Sequence, residues 1–176
     1  IGLLGKPNAG KSSLVRAVSS AKPKVADYAF TTLHPSLGVV DYSENSSFVI
    51  SDIPGLIAGA SEGVGLGIQF LKHLSRTKVI VQIVDIYDKT PLEIIAEIRE
   101  LSKEITNYDP ELIKKVRWLA LNKVDLLDKS EVERLKEELE TEFQDNLHIY
   151  CISAAKKEGT QQLMRDIGEF METPDE

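Results

Sequence analysis

A single cysteine, Cys151, stands among 176 residues and excludes an internal disulfide. Its neighbours in "HIYCIS" read as a buried strand, so a reactive thiol is not expected there. Long hydrophobic runs are also missing, since none approaches the roughly 20 apolar residues needed to span a bilayer. Excess positive charge is absent as well: 21 Lys and Arg face 28 Asp and Glu, a net charge of −7. That sign excludes nucleic-acid binding by general electrostatics and would require a local patch or another domain for it. Internal repeats, low-complexity tracts and a targeting peptide are not found. These absences favour a soluble, cytoplasmic protein in a reducing setting, without a membrane span. The chain opens on "IGLLG" with no methionine, which reads as excision from a longer polypeptide inside a strand.

What is present alternates. A chain of this length buries roughly 70% of its unfolded surface, enough for one core, so 1–176 is expected to be a single domain. Strand-like runs lie at Ile1 to Leu4, Leu37 to Tyr42, Phe48 to Asp52, Val79 to Asp85, Val116 to Leu121 and Leu147 to Ser153. Helical patterns follow Lys11, cover about Gly67 to Arg76, Leu92 to Ile105 and Ser130 to Phe143, and close the chain from about Gly159. This alternation predicts an α/β fold with a mostly parallel six-stranded sheet and helices on both faces. The second and third strands are separated only by "SENSS", too short for a crossover helix, so they form a hairpin and one strand is antiparallel. Ser130 to Glu133 has the form of a capping box, with Val132, Leu135, Leu139 and Phe143 on one helical stripe.

The strongest local signal is "GKPNAGKSS", in which Gly5, Gly10, Lys11 and Ser12 fit Gly-x-x-x-x-Gly-Lys-Ser between a strand and a helix. Glycines let backbone N–H groups converge on phosphate oxygens, and the helix N-terminus adds positive potential. Lys11 is suited to the β- and γ-phosphates and Ser12 to Mg²⁺. The whole stretch of Gly5, Lys6, Pro7, Asn8, Ala9, Gly10, Lys11, Ser12 and Ser13 is therefore a candidate phosphate site. "LALNKVD" sets Asn122, Lys123, Val124 and Asp125 at the end of an apolar strand, where ligands gather in open α/β sheets. An Asp125 carboxylate is acceptor-only and suits guanine's N1–H and 2-amino donors, which adenine lacks. GTP is thus selected over ATP. In "ISAA", Ser153, Ala154 and Ala155 can complete the base pocket through the serine and the Ala154 amide.

Asp52, Ile53, Pro54 and Gly55 follow the third strand, placed to hold Mg²⁺ through Asp52 and to present the Gly55 N–H to the γ-phosphate. Phe30, Thr31, Thr32, Leu33 and His34 form a loop between the first helix and the second strand. A threonine hydroxyl there completes the metal shell only while the γ-phosphate is present, the basis of a switch. Thr32 is favoured as ligand over its neighbour Thr31. His73 reads as a residue of a helix surface and His148 as a strand residue, not as metal ligands.

Taken in order, "GKPNAGKSSL", "ADYAFTTLHPSLGVV", "DIPGLIAGASEGVGLGIQFLKHLSRT", "NKVD" and "SAA" resemble the GTPase domain of the Obg family of ribosome-associated proteins, over nearly the whole chain. Departures are Ala29 for the usual proline, Ser36 for a frequent asparagine and Ala58 for a common acid. The resemblance implies a Ras-like P-loop GTPase domain, expected to be a monomer, that binds GTP and GDP with Mg²⁺ and hydrolyses GTP slowly. It implies a role in large ribosomal subunit assembly and in growth and stress control. It also implies a glycine-rich domain before Ile1. The alternative from a different class is a guanine-nucleotide sensor or scaffold that binds GTP, GDP or a guanosine alarmone and in which hydrolysis is incidental.

Leu56 stands where many GTPases carry a water-orienting glutamine, and leucine neither donates to nor accepts from water. Catalytic help must then come from elsewhere: Lys11, Thr32 and the Gly55 N–H at the phosphates, and one of three further sources. The resemblance to glutamine-lacking relatives suggests K⁺ held with the aid of Asn8. A partner such as the ribosome, or an in-chain residue moved by the glycine-rich stretch Gly59 to Gly67, are the others.

Overall fold

A computed structural model of the chain describes residues 1–25, 36–52 and 72–173. Seven strands form one sheet: β1 (Gly2–Leu4), β2 (Lys24–Val25), β3 (Ser36–Ser43), β4 (Ser46–Asp52), β5 (Ile80–Asp85), β6 (Val116–Asn122) and β7 (His148–Ile152). Their order across the sheet is β2-β3-β4-β1-β5-β6-β7. β1 pairs in parallel with β4 and β5, β5 with β6, and β6 with β7, while β3 runs antiparallel to both β2 and β4. This is the expected Ras-like sheet with one antiparallel strand. The two-residue β2 extends it at the edge, too short to leave an alternating pattern in the sequence. The hairpin is tighter than "SENSS" suggests, because β3 and β4 continue to a Ser43–Ser46 pair with only two residues between them.

The α-helices that lie wholly within the described residues are α1 (Lys11–Val18), α2 (Pro91–Tyr108), α3 (Lys129–Phe143) and α4 (Thr160–Glu172). Period-two burial on the strands decides which helices cover which face. Leu3, Val81, Ile83, Ala120 and Ile152 join Leu14 and Val15 of α1 and Leu163, Met164 and Ile167 of α4 in one buried cluster. On the other face, Val84, Leu119, Leu121 and Ile149 pack with Ile94 and Ile98 of α2 and with Leu135 and Leu139 of α3. Val132 and Phe143 flank this cluster, as their helical stripe requires.

Thr90 caps α2: its hydroxyl accepts the Glu93 N–H at 3.3 Å, its own N–H donates to Glu93 at 2.7 Å, and Pro91 occupies the first turn. The α3 cap lies two residues earlier than the sequence suggested. Asp128, not Ser130, is the N-cap, and its N–H donates to Glu131 Oε2 at 3.3 Å. An ionised aspartate accepts from helix N–H groups and complements the positive end of the helix at once, which a serine does not. Residues 72–75 are helical, and the rest of the helix expected from Gly67 lies outside the described residues. His73 is 4% exposed, so it faces inward and is not the surface residue expected. His148 is exposed on β7 beside the Trp118 ring, 4.8 Å between centroids. Cys151 is a free, partly shielded thiol on β7, and burial pushes its pKa upward.

This topology positions the site. From β1 the chain builds outward through β3 and β4 on one side and β5 to β7 on the other, so the order reverses at β1. In open α/β sheets the crevice at such a switch point, at the C-terminal ends of the strands, is where ligands bind. Gly5, Asp52, Asp85, Asn122 and Ser153 all lie at those ends.

Candidate functional site

The loop from Gly5 to Gly10 leaves β1 and enters α1 under tight steric constraint. A Cβ on Gly5 would stand 2.6 Å from the Ile83 carbonyl oxygen, so only glycine lets the loop pass β5. Gly10 has φ +103°, a left-handed conformation, and a Cβ there would meet Asn122 Nδ2 at 2.1 Å. Asn8, exposed, also has φ 65°. No side chain among the described residues caps α1, so its first N–H groups are donors suited to an anion.

Lys11 is 7% exposed, and its ammonium donates to the Gly5 carbonyl at 2.9 Å and the Lys6 carbonyl at 3.2 Å. Burial lowers its pKa, and the nearby Asp52 carboxylate opposes part of that shift. A buried cation held by loop carbonyls is well placed to be traded onto phosphate oxygens. Lys6 itself is exposed and pairs with Glu100 of α2 at 3.1 Å. The Ser13 hydroxyl accepts from Arg16 at 3.3 Å.

Next to Lys11, Ser12 Oγ donates to Asp52 Oδ2. Asp52 is 6% exposed, and its second oxygen, Oδ1, has no hydrogen-bond partner among the described residues. A buried, unsatisfied carboxylate oxygen beside a hydroxyl is a hard-oxygen donor set, and it fits Mg²⁺, which takes one or two protein ligands plus phosphates and waters. No group of three His, Cys, Asp or Glu among the described residues forms an all-protein metal cage.

At the other end of the crevice Asn122 is 2% exposed and joins three segments. Its Nδ2 donates to the Ala9 carbonyl at 2.9 Å, and its Oδ1 accepts the Ala154 N–H at 3.0 Å. One amide therefore ties the phosphate loop to the end of β6 and to the loop after β7. The Ala154 amide, expected to face a base, is committed here to Asn122. Ser153 is fully buried and its hydroxyl accepts the Lys156 N–H at 3.2 Å, closing the short loop through which Ala155 passes exposed. Lys123 has φ 73° and Val124 to Leu126 form one 3₁₀ turn, on which Asp125 is half-buried. The Lys123 ammonium contacts Asp85 Oδ2 at 2.6 Å. Sequence reasoning missed Asp85; the signal was an acid ending a buried strand in "VQIVD".

The structure thus gathers Gly5 to Ser13, Asp52, Asn122 to Asp125 and Ser153 to Ala155 along one edge of the sheet. Phe30, Thr31, Thr32, Leu33, His34, Ile53, Pro54, Gly55 and Leu56 lie outside the described residues.

The family model described as "50S ribosome-binding GTPase" matches residues 1–123. The chain belongs to this GTPase family. Solved structures agree on the fold of this GTPase domain. The G domain of the T. maritima FeoB iron transporter is 22% identical, with a TM-score of 0.72 and 97% of each chain covered. Aquifex aeolicus Era, in a single-site variant bound to GDP and AlF4⁻, is also 22% identical with a TM-score of 0.72, over 99% of this chain and 56% of that one. A putative nucleolar GTP-binding protein 1 from Plasmodium falciparum is 22% identical with a TM-score of 0.63, over 97% of this chain and 84% of that one. The chain is accordingly a P-loop GTPase domain, the class that binds and hydrolyses GTP and generally does so with Mg²⁺. No helix among the described residues is long and apolar enough to cross a membrane.

Proposed function

We propose that the chain is a guanine-nucleotide switch of the Obg type that hydrolyses GTP slowly to GDP and phosphate and serves large ribosomal subunit assembly. The observation that carries the nucleotide reading is the Asn122 amide, which binds the Ala9 carbonyl and the Ala154 N–H and so fixes phosphate loop and base loop at one spacing. The reading of the partner rests on the sequence resemblance and on the description of the matched family. The full-length protein is the form expected to engage the ribosome, with a guanosine alarmone as a further ligand of the same pocket.

In this reading the loop from Gly5 to Ser13 cradles the phosphates, and Lys11 exchanges its loop carbonyls for β- and γ-phosphate oxygens. Ser12 and Asp52 hold Mg²⁺, with Thr32 joining in the GTP state. When bound, the ion supplies charge neutralisation between the β- and γ-phosphates. Asp125 accepts from guanine's N1–H and 2-amino groups, and Lys123 flanks the base. Attack by water on the γ-phosphorus forms one P–O bond as the bond to the β-bridging oxygen breaks. Lys11 and the Gly55 N–H stabilise charge on the leaving and equatorial oxygens. Leu56 cannot orient that water, so K⁺ near Asn8 is the favoured source of the missing charge.

Asp125→Asn tests the base assignment. It turns one acceptor oxygen into a donor opposite guanine's donors, and calorimetry should then read a large loss of GTP and GDP affinity. Full retention of affinity would place the base elsewhere.

A further inference from the structure

Asp85 ends β5, and none of the roles above uses it. Both its carboxylate oxygens are engaged: Oδ1 accepts the Tyr87 N–H at 2.9 Å and Oδ2 accepts the Lys123 ammonium at 2.6 Å. The pair is two-thirds or more shielded, with side-chain exposures of 33% for Lys123 and 21% for Asp85. Its backbone frame is fixed as well. Asp85 stands in register with Asn122, and the Ile86 N–H donates to the Asn122 carbonyl at 3.2 Å. The carboxylate is therefore locked from both sides, by its own turn and by the strand that carries Lys123.

This fixes the path of the lysine. Lys123 leaves the end of β6 in a left-handed conformation, φ 73°, and its ammonium is held at the end of β5, one strand nearer the phosphate loop. Its four-carbon stem must then cross the C-terminal edge of the sheet from β6 toward β5 and not project into solvent. A methylene stem laid flat is an apolar surface that fits the face of a planar heterocycle, and fixing it in advance removes the ordering cost from binding.

We propose that Asp85 is a positioning residue for the guanine site: it holds Lys123 so that the stem forms one wall of the base subsite between Asn122 and Asp125. The inference rests on the guanine reading given above and adds to it a residue that touches no nucleotide itself. Since Asp85 acts through Lys123 and not through the base edge, it affects affinity for any purine that fits the wall and leaves selectivity for the 2-amino group to Asp125.

The test is calorimetric binding of GDP, and of inosine diphosphate, which lacks the 2-amino group. The proteins are the parent, Asp85→Asn, Lys123→Ala and the double variant. Asparagine keeps an acceptor for the Tyr87 N–H, so the turn is retained while the ion pair is lost. Asp85→Asn should weaken both nucleotides by the same factor, about tenfold, the scale of one charge-assisted hydrogen bond. In the Lys123→Ala background the same substitution should change nothing further. Parent-like affinity in Asp85→Asn, or losses that simply add in the double variant, would overturn the proposal. So would a fall in the unfolding midpoint of the nucleotide-free Asp85→Asn protein large enough to account for the loss, since that is a structural role. If the parent itself binds no GDP, the guanine reading fails, and this inference with it.

Discussion

Replacing Asn122 with alanine removes a side chain that joins both ends of the crevice. Two buried hydrogen bonds go with it, 2.9 Å to the Ala9 carbonyl and 3.0 Å from the Ala154 N–H. Each partner left without a match costs about 1–3 kcal/mol, so the loss is about 2–6 kcal/mol, with the low end reached if water enters the space. Against a total stability of about 5–15 kcal/mol this is a large fraction. For a domain of this size about 3 kcal/mol corresponds to a fall of about 6–12 °C in Tm. Asn122→Asp separates the two contacts. It keeps an oxygen for the Ala154 N–H but turns an acceptor, ionised and buried, toward the Ala9 carbonyl, and should be the worse of the two. Thermal unfolding of the nucleotide-free protein, paired with GDP calorimetry, reads both effects. A Tm for Asn122→Ala within about 1 °C of the parent, equivalent to less than about 0.5 kcal/mol, would refute the idea that this amide sets the spacing of the site.

Gly10→Ala should also destabilise, because alanine must enter a left-handed conformation and its Cβ would press on Asn122 Nδ2; an unchanged urea midpoint would contradict this. Lys11→Met should abolish GTP turnover, and retained turnover would reject the phosphate role of Lys11. Burial holds the Lys11 pKa below the ordinary lysine value, so on raising pH the folded state gives up this proton before the unfolded state does, and the stability of the nucleotide-free parent should rise with pH from that lowered pKa toward the ordinary value. The same pH dependence of the unfolding midpoint in Lys11→Met as in the parent would reject that account. Ser12→Ala should weaken Mg²⁺-dependent GTP binding while leaving binding in excess EDTA nearly unchanged, read by equilibrium titration. Replacing Na⁺ with K⁺ should raise GTP turnover in the parent and not in Asn8→Ala; equal rates in the two salts for the parent would remove K⁺ from the mechanism.

The sequence made the crevice legible because its chemistry is local. The Gly5 to Ser12 spacing, the Asn122 to Asp125 group and Asp52 each end a strand that apolar periodicity marks on its own. The hairpin followed from loop length alone. What escaped was set by tertiary contact. The edge strand β2 is only two residues long and exists through its pairing with β3. Asp128 outcompeted Ser130 as the cap because an ionised acceptor at the helix start also meets the macrodipole. His73 is buried in the short described helical stretch 72–75, which a short polar pattern does not report. Asp85 was invisible for a different reason: its partner is 38 residues away, and only the β5–β6 register brings them together.

The central claim is that this crevice binds and hydrolyses GTP and rejects ATP. Single-turnover phosphate release with excess protein and Mg²⁺ tests it most directly. Phosphate should appear from GTP, and from ATP at no more than the rate of buffer alone. Release from both nucleotides at similar rates would contradict the assignment of Asp125, and release from neither would contradict the assignment of the domain as a working GTPase.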